Sequence, residues 1–198
     1  MAAGESCDRE VAIGPGCAVL VVGPSGAGKD ALLAVACQEL AAEPTFVFVE
    51  RVISRPPHAA EVHASISAAD FQAAASEGAY ALTWRAHNLY YGIPATIDGD
   101  IRQGRTVVFN ASRSIVTDAR RRYARVHVTL IDCPIEVRAA RLVARGRETL
   151  EQIHARLERT IAGFDAASAD ARIDNSGSLE HGTAALVSTL RELRLPPP

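Results

Sequence analysis

The segment Gly23-Pro24-Ser25-Gly26-Ala27-Gly28-Lys29-Asp30 has the glycine and lysine spacing of a phosphate-binding P-loop. Lys29 is the only lysine in the chain; the other twenty of the 21 basic residues are arginine. A compact ammonium acts on phosphate as a point charge, a task for which planar guanidinium is poorly shaped. The loop sits between an apolar, valine-rich run at residues 17–22 and an alanine-rich helical stretch at 31–40. In a strand, loop and helix of this kind, the loop amides and the helix N-terminus point partial positive charge at the β-phosphate of a nucleotide. Lys29 then reaches the β- and γ-phosphates.

Asp30 departs from the motif. A Ser or Thr normally stands there and puts a hydroxyl on Mg²⁺, and Ala31 supplies no substitute. Two readings stand: Asp30 is itself a hard oxygen ligand for Mg²⁺, or it is an acid placed in a first helical turn where the dipole favours it.

A second chemical stretch is Arg141-Leu142-Val143-Ala144-Arg145-Gly146-Arg147-Glu148, followed by Arg156 and Arg159. On a helix Arg141 and Arg145 share a face, and Gly146 offers a hinge or cap. These guanidinium groups form either a mobile clamp for a transferring phosphoryl group or a solvated face offset by Glu136, Glu148, Glu151 and Glu158. The P-loop favours the clamp.

Two further stretches collect polar groups. Residues 51–63 carry Arg55, His58 and Glu61 around Pro56 and Pro57, which stop strand and helix and display the charges on a loop after a strand end. Residues 84–92 bring Trp84, Arg85, His87, Tyr90 and Tyr91 together. On a strand the two tyrosines point opposite ways, and Tyr91 is assigned to the ligand side. Asn110, Ser112 and Arg113 follow the apolar run 106–109, again at a strand's carboxyl end.

The rest of the chain must position these groups. At 198 residues it suits one well-cored domain, read as an extension at 1–16 and a domain at 17–195, with an acceptor region near 51–92 and a lid near 141–159. Strand-like runs at 45–53, 79–84, 106–109 and 126–131 alternate with helical ones at 67–76, 94–104, 114–123, after Pro134, and at 178–193. Short apolar strands separated by helices predict an α/β fold with a parallel sheet covered on both faces. Cys17, Cys37 and Cys133 read as small buried hydrophobes, and with Cys7 they form no metal spacing. The net charge of −2 argues against nucleic acid as a partner. No apolar run approaches the roughly 18 residues of a membrane span, and the N-terminus does not read as a signal peptide. A cytoplasmic enzyme is expected, with a homodimer left open.

Taken in order, Gly-Pro-Ser-Gly-x-Gly-Lys, Ser54-Arg55-Pro56 with Glu61, Tyr90-Tyr91-Gly92, and Arg141-Leu142 with Arg145-Gly146-Arg147-Glu148 resemble the guanylate kinase superfamily over roughly residues 18–161. The resemblance implies a three-layer P-loop kinase fold. It also implies that Arg55 and Tyr91 hold the acceptor phosphate, with His58 standing where a second arginine is expected. Leu82 falls where guanylate kinases read guanine with a glutamate, and leucine accepts no hydrogen bond, which disfavours guanine.

Asp30, Trp84-x-Ala86-His87 and Asn110-Ala111-Ser112-Arg113 resemble the ribose 1,5-bisphosphate phosphokinase family. That resemblance implies ATP as donor, Mg²⁺, a sugar bisphosphate acceptor, 5-phosphoribosyl 1-diphosphate as product and a place in phosphonate breakdown. Lys29, Arg141, Arg145 and Arg156 are then the catalytic cations, with Arg147 on the nucleotide. His58, His87 and Arg113 face the sugar and its second phosphate, while Asn175 either borders adenine or is a turn residue. A nucleoside monophosphate kinase and a non-catalytic interaction module are the alternatives.

Overall fold

Every side chain of the strand Cys17–Val22, β1, is buried, which is why its sequence is uninterrupted apolar rather than alternating. The computed structural model describes residues 11–55, 65–146, 149–158 and 164–193. After β1 come α1 (Lys29–Glu39), β2 (Phe46–Val49), β3 (Val52–Ser54), β4 (Ser65–Ile66), α2 (Ala68–Ser76), β5 (Tyr80–Ala86), β6 (Leu89–Pro94) and α3 (Ile97–Arg102). The second half holds β7 (Thr106–Asn110), α4 (Val116–Arg122), β8 (Val126–Asp132), α5 (Ile135–Ala144), α6 (Leu150–Leu157), β9 (Ala171–Asp174) and α7 (Leu179–Glu192).

Five strands form a parallel sheet in the order β2-β7-β1-β8-β9. Alternation along β1 feeds two cores. Ala18, Leu20 and Val22 meet Ile97 and Ile101 of α3 and Val116 and Ala119 of α4, while Val19 and Val21 meet Leu32 and Ala36 of α1 and Leu186 and Leu190 of α7. The expected α/β architecture, a parallel sheet with helices on both faces, is what forms. All five strands run the same way, so their carboxyl ends share one edge, and β1 delivers the glycine loop there beside the ends of β2 and β7.

A second, four-stranded sheet, ordered β4-β3-β6-β5, stands over that edge. It corrects the expected single run at 45–53. β2 pairs with β7 as far as Val49↔Phe109, then the chain crosses at Glu50-Arg51 and β3 pairs antiparallel with β6. Pro94, expected to open a helix, instead ends β6, where the pairing with β5 is irregular. A residue without an N–H is tolerated at such a position, and the helix starts at Ile97. The arginine-rich stretch after Pro134 is two helices, parted at Gly146 (φ 60°); Thr149 and Gln152 then close a capping box that starts α6.

Cys17 and Cys133 are buried, but Cys37 is exposed, because the inward stripe of α1 passes through Leu32 and Ala36. Residues 11–16, assigned to an extension, are tied to the domain. Ile13 bridges Tyr123 through two backbone hydrogen bonds, from its N to Arg122 O and from Ala124 N to its O, and Gly16 N donates to Ile101 O. Below that junction Asp98, in the first turn of α3, accepts from Arg122 through Nε (3.2 Å) and Nη2 and from the Tyr123 hydroxyl (2.9 Å). No helix among the described residues is long and apolar enough to cross a membrane.

Candidate active site

The glycine loop can be built only from glycine at two of its turns. A Cβ on Gly23 (φ 151°) would lie 2.1 Å from Ile131 O, and one on Gly28 (φ 90°) 2.4 Å from Asn175 Nδ2. Gly28 is the N-cap of α1, so the helix begins at Lys29 with its N-terminus at the cleft. Lys29 Nζ donates to Gly23 O (2.8 Å) and Pro24 O (3.0 Å). Burial lowers its pKa to about 8; Asp30 opposes that shift, and Arg51, Arg113 and Arg156 add to it. An anion in the loop would relieve the strain on this charge.

Asp30 lies beside it on the cleft floor, its side chain 63% exposed. Oδ1 accepts from Asn110 Nδ2 at 2.5 Å and lies 3.3 Å from Arg51 Nη1, while Oδ2 accepts from Arg51 Nη2 at 3.4 Å. Desolvation pushes its pKa up, but Arg51, the Asn110 hydrogen bond and Lys29 together outweigh it, and the net shift is down. The carboxylate is therefore anionic at neutral pH. Among the described residues no cluster of three or more His, Cys, Asp or Glu could hold a metal by itself. A single accessible carboxylate beside the phosphate loop nevertheless fits Mg²⁺, which is usually held by one or two carboxylates, nucleotide phosphates and water.

The opposite wall comes from the second sheet. Tyr91 stacks on Trp84, with ring centres 5.2 Å apart and planes 7° apart. Tyr90 turns away, stacking on Phe71 and accepting from Gln72 Nε2. The β5–β6 turn consists of His87 (φ 52°) and Asn88 (φ 60°), both left-handed as a two-residue hairpin requires. That places non-glycine His87 at the cleft mouth. Leu82 shares the inner face of β5 with Trp84 but lies deeper, 5% exposed in the core.

At the end of β7, Asn110, Ser112 and Arg113 line the cleft, as do Arg145 at the end of α5 and Arg156 of α6. Arg156 Nε donates to the loop's Ser25 Oγ at 3.3 Å. The cleft thus gathers Lys29, Arg51, Arg113, Arg145 and Arg156 against Asp30, a strongly positive site in a chain of net charge −2.

Three expected site residues lie elsewhere. Arg141 does not share the cleft with Arg145; it passes behind the loop, donating from Nη2 to Asn175 O (2.9 Å), with Nη1 3.7 Å from Cys133 Sγ. Asn175 is not an exposed turn residue but a strut, 3% exposed, whose Nδ2 donates to Ala27 O at 2.8 Å. Arg55 follows β3 and does not line the cleft. His58, Glu61 and Arg147 fall outside the described residues. The sequence reading assigned no role to Arg51 or Trp84, both of which line the cleft. Arg51 carried a usable signal, since it follows the β2 end just as Asn110 marks the β7 end.

No protein-family profile matches the chain. Ribose 1,5-bisphosphate phosphokinase PhnN of Brucella melitensis is 46% identical over 180 residues, covering 90% of this chain and 93% of that protein. The protein of the same name from Acidiphilium cryptum is 48% identical over 176 residues, covering 89% and 93%. Among solved structures, guanylate kinase from Anaplasma phagocytophilum superposes with a TM-score of 0.62 at 15% identity, covering 91% of this chain and 86% of that one. This likeness is one of fold, a guanylate kinase-like P-loop kinase fold. With nearly half its residues shared over nine-tenths of its length, the chain belongs to the ribose 1,5-bisphosphate phosphokinase family.

Proposed function

We propose that this kinase transfers the γ-phosphoryl group of ATP to the 1-phosphate of ribose 1,5-bisphosphate, giving 5-phosphoribosyl 1-diphosphate and ADP, as a cytoplasmic step of phosphonate catabolism. The observation that carries this reading is the two-sided cleft. A P-loop with Lys29 faces a wall made by Trp84, Tyr91, His87 and Arg51, and the charge between them is positive. A phosphate monoester, with a second pKa of about 6, is largely dianionic at pH 7. Its oxygen attacks the γ-phosphorus without giving up a proton, and the bond to the ADP oxygen breaks. No general base is needed. What the chain must do is hold two polyanions in line and offset their charge.

Lys29 and the lid arginines Arg145 and Arg156 do that work, and Arg113 and His87 face the sugar and its second phosphate. Asp30 would hold Mg²⁺, which when bound neutralises phosphate charge. The apolar inner face at Leu82 offers no acceptor for guanine N–H groups.

Coupled assays of ADP release with ribose 1,5-bisphosphate, GMP and AMP, with phosphorus NMR of the product, test the reading. A diphosphate signal from the sugar bisphosphate is expected; rapid turnover of GMP alone would overturn it. In the lid, Arg145→Lys should lower kcat about tenfold with little change in the KM for ATP, because a bidentate contact formed on closure becomes a single one. An unchanged kcat removes Arg145 from the transition state.

A further inference from the structure

Arg51 joins the two halves of the cleft. It sits where the chain leaves β2 of the parallel sheet for β3 of the second sheet, and its guanidinium reaches back to Asp30 at the start of α1. Its contacts with the carboxylate, 3.3 and 3.4 Å, are long beside the roughly 2.7–2.9 Å of a well-formed charge-assisted pair. Its Nε is buried and has no hydrogen-bond partner among the described residues. Its guanidinium carbon lies 6.0 Å from the centre of the Tyr91 ring. The side chain is loosely held on one side, has a donor to spare, and faces the acceptor wall.

We propose that Arg51 exchanges Asp30 for the acceptor's reacting phosphate, and that its departure releases the Asp30 carboxylate to the divalent cation that arrives with ATP. This rests on the functional reading given above. Three observations carry it. Arginine stays protonated throughout, and a guanidinium only 21% exposed at its side chain is stabilised by an anion to face; Asp30 provides one, and a phosphate dianion provides a stronger one. Asp30 Oδ1 already accepts from Asn110, and Mg²⁺ demands near-octahedral geometry, so one carboxylate does not comfortably serve Arg51, Asn110 and the ion together. Finally, Arg51 can turn from Asp30 toward Tyr91 without leaving the cleft that both residues line. The ion pair thus couples the two substrates: acceptor binding tightens the metal, and the metal tightens acceptor binding by the same factor. An acceptor without an anion at that position leaves Arg51 on Asp30, which makes Arg51 a specificity-determining residue.

Mn²⁺ serves as the probe. It is titrated into the full chain saturated with ADP, with and without ribose 1,5-bisphosphate, and free Mn²⁺ is read by electron paramagnetic resonance; ADP allows no transfer. In the native protein the sugar bisphosphate should lower the Mn²⁺ Kd about five- to tenfold. Arg51→Gln should bind Mn²⁺ without acceptor about as tightly as the native protein does with it, and should respond to acceptor by less than about twofold. Arg51→Lys, which keeps a charge, should respond to an intermediate degree. Native affinity and a native acceptor response in Arg51→Gln would overturn the inference. If calorimetry shows that the sugar bisphosphate does not bind the native protein, the functional reading falls. The acceptor-free titration then still decides: unchanged Mn²⁺ affinity in Arg51→Gln overturns the competition for Asp30, and a tightened one upholds it.

Discussion

Replacing Lys29 with methionine lowers kcat/KM roughly 10²–10³-fold, the usual size of losing one preorganised charge at a transferring group, while the melting temperature without nucleotide stays the same or rises. Methionine keeps most of the stem, so the loop is not emptied, and the two carbonyls that Lys29 holds, Gly23 O and Pro24 O, face a water-filled cleft when the ammonium is gone. The pH dependence follows from the same site. Burial holds the ammonium at about 8, so the free enzyme loses this charge as pH rises through 8. Nucleotide phosphates favour the protonated form, so ADP binding near pH 8 takes up a proton and ADP affinity falls between pH 7 and 9. Calorimetry in buffers of different ionisation enthalpy measures the uptake, which vanishes in Lys29→Met. Stability runs the other way. The native pKa lies below the ordinary 10.5, so the unfolded chain binds the proton more tightly. The ligand-free protein therefore gains stability from Lys29 as pH rises from about 8 toward 10.5, and lacks that gain below 8. Proton uptake that persists in the variant would place the titrating group elsewhere.

The residues that make Lys29 legible in sequence are local: three glycines, an apolar strand before them and a helix after. Such features write themselves into consecutive residues, which is why β1, α1, β7 and β8 were readable. In the second sheet only the hairpin was: the strand-like run at 79–84 is β5, and Tyr90 and Tyr91 lie on β6, whereas β3 and β4 left no signal. β4 has two residues and β3 three, too short for any period, and the break at Glu50-Arg51 interrupts a run whose apolar residues continue on both sides. β9 was missed because it is a four-residue sheet edge with one buried residue, Ile173, flanked by Arg172 and Asp174. In the cleft, Tyr91 could be assigned from strand alternation, but the fate of Arg141 could not. Helical spacing puts it on the face of Arg145, and only packing against Asn175 and Cys133 turns it behind the loop. Asn175 is the mirror case, a residue with turn chemistry whose side chain is captured by Ala27, 148 positions away.

Asp98→Ala should cost about 2–3 kcal/mol, the range for losing a hydrogen bond to a charged group and leaving its buried partner unsatisfied. In a domain of this size that lowers the melting temperature by roughly 5–10 °C. The loss falls unevenly on the two partners. Arg122, 37% exposed at its side chain, can turn to water when the carboxylate is removed. Tyr123 cannot: it is 2% exposed, and burial, together with the Asp98 hydrogen bond, holds its hydroxyl well above the usual phenol range. An acid in the first turn of α3 also complements that helix's N-terminus, so truncation weakens the start of α3. The double variant separates these contributions. Tyr123→Phe removes the hydroxyl at a cost of about 1 kcal/mol, and in that background Asp98→Ala should cost measurably less than it does alone, because the orphaned hydroxyl no longer exists. Strict additivity in thermal or urea unfolding would show that Asp98 acts through Arg122 and the helix terminus and not through Tyr123. Either way kcat below the melting transition should be unchanged, because Asp98 bonds Arg122 and Tyr123 at the end of α4 and lines no part of the cleft.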